Sequence, residues 1–181
     1  MYLFKINLLQ SNNNIWRRIL VSEDTSFRKL HEIISIIMDW DSSEIFNFYF
    51  QDLCYNIDGK IIDINPNFGL FSDMEELISV LEPISFYKDH FNHCIYSHNS
   101  LVNWKMSFHL EKVDEIKSFP EVLEYNGDNP SSEISMEETI EIAQAMQDPF
   151  SAEAMWMKSY LEKKGIERFD IDSVNEKLQK I

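Results

Sequence analysis

Four side chains of the kinds that bind transition metals fall within nine residues: His90, His93, Cys94 and His98. Zinc takes such nitrogen and sulfur donors when they converge tetrahedrally. Residues 85–96 read as an extended strand, however, and alternate positions on a strand face opposite sides. His93 then points away from His90, Cys94 and His98, so the pattern favours a polar strand edge with Cys94 packed inward over a metal centre. A cysteine nucleophile needs a base oriented by a third group. Cys94 has His93 beside it in sequence, but no orienting carboxylate can be identified. Phosphate-binding and dinucleotide-binding loops require closely spaced glycines, whereas Gly59, Gly69, Gly127 and Gly165 stand singly. The G-x-S-x-G, H-E-x-x-H, C-x-x-C and EF-hand patterns are also missing. No catalytic residue and no cofactor are expected.

Charge is the more informative chemistry. The chain has 181 residues, 16 basic against 31 acidic, for a net charge of −15, and its pI is near 4.6. A protein that tracks phosphates needs a basic face to release counterions, so direct nucleic-acid binding is disfavoured. The excess is concentrated. Residues 113–157 hold eleven acids (Asp114, Glu115, Glu121, Glu124, Asp128, Glu133, Glu137, Glu138, Glu141, Asp148 and Glu153) against Lys117 alone. One reading is a solvated face that maintains solubility. The other is a rigid acidic surface offered to a basic protein in place of nucleic-acid phosphates, with a steered on-rate. The partner-binding candidates are accordingly Asp114, Glu115, Glu121, Glu124, Asp128, Glu133, Glu137, Glu138 and Glu141. Arg17, Arg18, Arg28 and Lys29 form the opposite candidate, a small basic patch for DNA; pairing with Glu23, Asp24, Glu32 or Asp39 is the simpler expectation for them.

The elements that must position these residues follow from periodicity. Tyr2, Phe4, Ile6 and Leu8 alternate, Ser11 to Asn14 supply a turn, and Ile15, Arg17, Ile19 and Val21 alternate again, which predicts a hairpin. Thr25 is the expected cap of a helix whose apolar face is Phe27, Leu30, Ile33, Ile34, Ile37 and Met38. Residues 45–55 read as a strand, and Asp58-Gly59 as a two-residue turn leading into residues 60–64. A short helix over 72–81 and strands over 85–96 and 103–113 complete a ββαββ(α)ββ order. The fold class is α+β: a mixed or antiparallel sheet with a β-grasp-like start, then helices. Pro120, Gly127 and Pro130 mark 118–132 as a loop or linker between a 1–117 sheet domain and 133–181 helices packed on it. Ser135 and Glu138 form a capping box, Asp148 and Pro149 open a second helix that Gly165 ends, and Asp170 or Asp172 starts a third with Val174, Leu178 and Ile181 inward. Trp16 and Trp40 read as core. The stripe of Met155, Trp156, Met157 and Tyr160 is expected mostly to dock on the sheet, with a protruding fraction able to anchor a partner.

Ile15-Trp16-Arg17-Arg18-Ile19-Leu20-Val21, Leu30-His31-Glu32-Ile33-Ile34, Met38-Asp39-Trp40, Trp104, Leu110-Glu111-Lys112, Phe119-Pro120, and Phe169 through Leu178 resemble, in order, the plasmid pRiA ORF-three-like family, also described as TnpR-like passenger proteins of insertion elements. The resemblance implies a sheet domain followed by helices, found in bacteria, archaea and their mobile elements, with no settled biochemical function. The departures are specific. Where the family carries a His-Leu-His-like motif, this sequence reads Glu44, Ile45 and Phe46. Residues 99–103 replace an Asp-Phe-Gly-Asp-like turn, Met106 stands in a histidine position, and 121–133 contain no cysteine. The resemblance therefore implies a family fold kept for binding after its polar site was emptied. A phage or other mobile element would use such a protein as an inhibitor of a host nucleic-acid-handling or defence protein. The alternatives are a DNA-associated accessory factor and a metal-binding domain or enzyme on His90, His93, Cys94 and His98. Without a membrane-length apolar run, and with only Cys54 and Cys94, the chain reads as soluble and cytoplasmic, with no membrane partner.

Overall fold

A computed structural model describes residues 1–59, 80–98, 103–111, 119–130 and 135–181. The expected strand over 60–64 and nearly all of the helix over 72–81 lie outside them. Among the described residues the sheet has seven strands: β1 (Tyr2–Leu8), β2 (Trp16–Val21), β3 (Phe46–Phe50), β4 (Tyr55–Gly59), β5 (Cys94–His98), β6 (Trp104–Glu111) and β7 (Glu121–Asn126). They stand in the order β4-β3-β5-β6-β1-β2-β7, and every pairing is antiparallel. Four helices join them: α1 (Phe27–Met38), α2 (Met136–Ala145), α3 (Ala152–Lys164) and α4 (Ile171–Leu178).

The hairpin of β1 and β2 and the amphipathic α1 form where periodicity places them. Phe27, Leu30, Ile33, Ile34, Ile37 and Met38 are all buried, and Phe27 meets Phe48 and Phe50 of β3 at ring separations of 5.2 and 6.0 Å. The cap is Ser26 rather than Thr25: its hydroxyl accepts from Lys29 N–H, while Thr25 is buried and its backbone carbonyl accepts from Ile84.

Several local expectations are overturned. The aromatic run does not continue to Tyr55; it turns at Gln51–Cys54 and returns as β4. Asp58 and Gly59 are therefore not a turn but ladder residues opposite Asn47 and Phe46, because tertiary pairing overrides a favourable turn dipeptide. The expected strand over 85–96 is a 3-10 helix at Ile84–His93, and β5 begins only at Cys94. The 118–132 segment contains an edge strand, β7, bound to β2 with a register shift between Arg18 and Ile19. Short, polar and irregular, it gave no alternating signal. Asp148 and Pro149 do not open α3; Ser151 caps it, accepting from Ala154 N–H. The capping box at Ser135 and Glu138 and the left-handed stop at Gly165 form as read.

The helices close over the β7 side of the sheet. Asn175 on α4 donates to Val122 O and accepts from Val122 N–H, at 3.0 and 2.8 Å, and so occupies the place of another strand along that edge. Asp170 caps α4 through Asp172 and Ser173 N–H. Val174 and Leu178 are buried, but Ile181 is exposed. Gly127 makes the approach of α2 possible. At φ +72° it lies in the left-handed region, and a Cβ there would come within 2.7 Å of Asn14 O and 3.2 Å of Ala143 Cβ.

Candidate functional site

The acidic candidates separate once placed. Asp114, Glu115 and Glu133 lie outside the described residues. Glu124 bonds Arg18 at 2.9 Å, and half-buried Glu121 lies in β7 beside Leu20. Asp128 is not a surface acid. It is buried, holding Arg168 Nε at 3.0 Å and Phe169 N–H at 2.9 Å. Glu138 accepts from Ser135 N–H and from the Tyr160 hydroxyl at 2.8 Å. Those contacts hold its carboxyl below the usual carboxylate range, the Ser135 backbone bond contributing most. Glu137 and Glu141 face solvent one helical turn apart on α2, an i,i+4 pair of like charges that slightly destabilises the helix. Asp148 and Glu153 are likewise exposed.

Beside these acids the structure places a feature that the periodicity reading misassigned. Ala154 and Leu161, seven residues apart, are the buried positions of α3. The expected docking stripe instead faces water: Trp156 is 61% exposed, Met155 59%, and Phe150, just before the helix, 88%. Met155 and Trp156 lie about 100° and 200° around the helix from Ala154, so neither can share its inward face. The Ala154/Leu161 spacing was the available signal.

The metal-ligand candidates do not converge. His90, on the 3-10 helix, binds Asp52 Oδ2 through Nδ1 at 2.6 Å, and this hydrogen bond lowers the Asp52 pKa. His93 is exposed. Cys94 and His98 share the inward face of β5 but are four residues apart, roughly 13 Å at strand rise, too far to share one zinc ion. Among the described residues no group of three or more His, Cys, Asp or Glu gathers at one point. An orienting carboxylate does exist, contrary to expectation, but Asp52 serves His90. Cys94 is buried, and burial raises its thiol pKa well above the usual value. Both cysteines are free thiols.

The basic candidates are likewise spent inside the molecule. Arg18 is clamped between Glu111 and Glu124, and Lys29 pairs with Glu32 at 3.0 Å. Arg28 is half-buried on α1. Arg17 is fully buried, stacked on Phe169 at 4.0 Å. Its Nη atoms donate to Trp16 O (2.9 Å), Asn126 O (2.8 Å) and Asn129 Oδ1 (2.7 Å). Burial lowers its pKa to about 9, so it stays charged near neutrality. Asn129 in turn donates to Ile37 O at the end of α1. Two segments more than 150 residues apart in sequence, around Arg17 and around Phe169, thus meet in one clasp.

A second polar cluster lies under the loop that joins α1 to β3. His31 Nε2 reaches Ser42 O at 3.0 Å and His98 Nε2 reaches Asp41 O at 3.0 Å, so two imidazoles hold adjacent carbonyls of one loop. Donation at Nε2 leaves His31 Nδ1 to accept from the Tyr96 hydroxyl at 2.8 Å. The two rings stack at 5.9 Å, and Trp40 lies between His98 and Trp104, 4.8 and 6.1 Å away. Burial lowers the His31 pKa to about 4 and raises that of Tyr96. Phe46, at a position where the sequence resemblance led to a histidine, stacks on His31 at 4.0 Å, and Met106 is buried opposite Tyr96. These replacements complete an apolar core around the histidine pair.

The family model of plasmid pRiA4b ORF-3-like proteins matches residues 1–178. Among solved structures, a crystal structure of a protein of unknown function from Methanosarcina mazei Go1 is similar, with a TM-score of 0.61 and 20% identity over 95% of this chain and 96% of that one. At this identity the likeness shows the fold alone. Among curated proteins none matches.

Proposed function

The chain belongs to the plasmid pRiA4b ORF-3-like family, and from that premise we propose that it is a non-enzymatic interaction protein of phage or other mobile-element origin. It acts in the cytoplasm by placing an acidic surface against the basic surface of a host nucleic-acid-handling or defence protein. The observation that carries this reading is the face around α2. No lysine or arginine occurs between residues 118 and 157, while Glu137 and Glu141 face solvent together at some cost to the helix. A surface of one sign attracts an oppositely charged partner from beyond contact distance and excludes like-charged competitors. The placement of Arg17, Arg18 and Lys29 in internal bonds leaves DNA contact through that patch without support.

The test is capture of partners from host lysate on the tagged chain, at low and high salt, with the wild type and a Glu137→Lys/Glu141→Lys variant. The expected result is a nucleic-acid-handling protein retained at low salt, released at high salt and lost on charge reversal. Recovery of the same proteins by both chains would overturn the reading.

A further inference from the structure

We infer that the exposed apolar patch Phe150, Met155 and Trp156 anchors the partner contact, and that its occupant is a basic amphipathic protein segment, apolar on one side with Lys or Arg beside it. The inference rests on the acidic-surface reading above and specifies the partner's chemistry. The three side chains are 88%, 59% and 61% exposed, and Trp, Phe and Met are the types enriched where interfaces gain most of their energy. On α3 the outward positions between Met155 and Trp156 are Ala152 and Ser159. Their small size leaves a shallow surface that another helix can approach.

The anchor is also held in place before binding. The Trp156 ring stacks on Tyr160 at 5.6 Å and 11°, and the Tyr160 hydroxyl donates to Glu138. An indole already held in one orientation loses less entropy on association. Charge selects the occupant. Glu137, Glu141, Asp148 and Glu153 are exposed on α2 and around the start of α3. The nearest cations lie further along α3, with Lys158 near Pro149 O at 3.4 Å and Lys164 over the Tyr160 ring at 5.5 Å. An anionic bilayer, the other common partner of exposed Trp and Phe, would be repelled by these carboxylates.

The experiment titrates the full chain with a Leu/Lys peptide carrying leucine on one helical face, with oligolysine, with a Leu/Glu peptide, and with phosphatidylcholine vesicles with and without phosphatidylserine. The Leu/Lys peptide is expected to bind at least about tenfold more tightly than oligolysine, and the other probes to bind negligibly. In a Phe150→Ser/Trp156→Ser variant that advantage disappears with the thermal midpoint unchanged, since both side chains are exposed. Equal affinity for the Leu/Lys peptide and oligolysine, both lost in Glu137→Lys/Glu141→Lys, would overturn the anchor and leave the acidic reading standing. Leu/Lys binding unaffected by salt and charge reversal would overturn the acidic reading. Preferential binding to vesicles would overturn the protein occupant.

Discussion

Replacing Arg17 with alanine tests the clasp that joins β2, the β7 edge and the start of α4. The substitution removes the donors that satisfy Trp16 O, Asn126 O and Asn129 Oδ1, and a buried acceptor left unpaired costs about 1–3 kcal/mol. It also removes the cation stacked 4.0 Å from Phe169, a contact worth roughly 0.5–2 kcal/mol. Against these losses, the folded state no longer has to desolvate a charge that burial already disfavours. The net expectation is a destabilisation of about 3–4 kcal/mol, or roughly 10 °C in thermal midpoint for a chain of this size. Arg17→Lys should recover only part, because an ammonium lacks the planar fork that reaches several acceptors at once. Urea unfolding of Arg17→Ala, Phe169→Ala and the double variant measures the coupling directly. A coupling below about 0.5 kcal/mol, the scatter expected of independent sites, would refute the clasp as a unit.

Three further outcomes follow from the same geometry. His31 titrates near 4 in the folded protein against 6.5 ordinarily, so the unfolded chain binds more protons between those values. Its contribution is therefore complete above about pH 6.5 and lost as pH falls toward 4, up to about 3 kcal/mol, and His31→Gln should flatten that part of the urea-midpoint profile. Asn175→Ala should cost about 1–3 kcal/mol and speed amide exchange at Val122, whose N–H it covers. Gly127→Ala should cost roughly 2 kcal/mol or more, because left-handed strain adds to the clash with Asn14 O. Gly165→Ala, at φ +67° with nothing within 4 Å of a Cβ, should cost only about 1 kcal/mol in the same unfolding assay.

The sequence by itself determined what depends on neighbours in the chain. The β1–β2 hairpin, the buried stripe of α1, the capping box at Ser135 and the stop at Gly165 each rest on spacing or backbone chemistry within a few residues, and each forms as read. The net acidity and its concentration in 113–157 were equally legible, since charge is a sum over residues. Tertiary structure decided the fate of side chains whose partners are remote. Nothing near Arg17 marks it as buried; Phe169, Asn126 and Asn129 do so, from more than 100 positions away. Asp128 counted with the surface acids until Arg168 and the Phe169 amide drew it inward. The run through Ile84–His93 read as strand, yet no neighbouring strand pairs with it and it closes as a 3-10 helix. Asp58-Gly59 became ladder because Asn47 and Phe46 offered pairing along a whole strand. Trp156 is exposed because Ala154 and Leu161 already fill the inward face of α3. Local spacing sets which faces an element has, but only the packed neighbours decide which face is covered, and that choice left Phe150, Met155 and Trp156 in water beside the acids of α2.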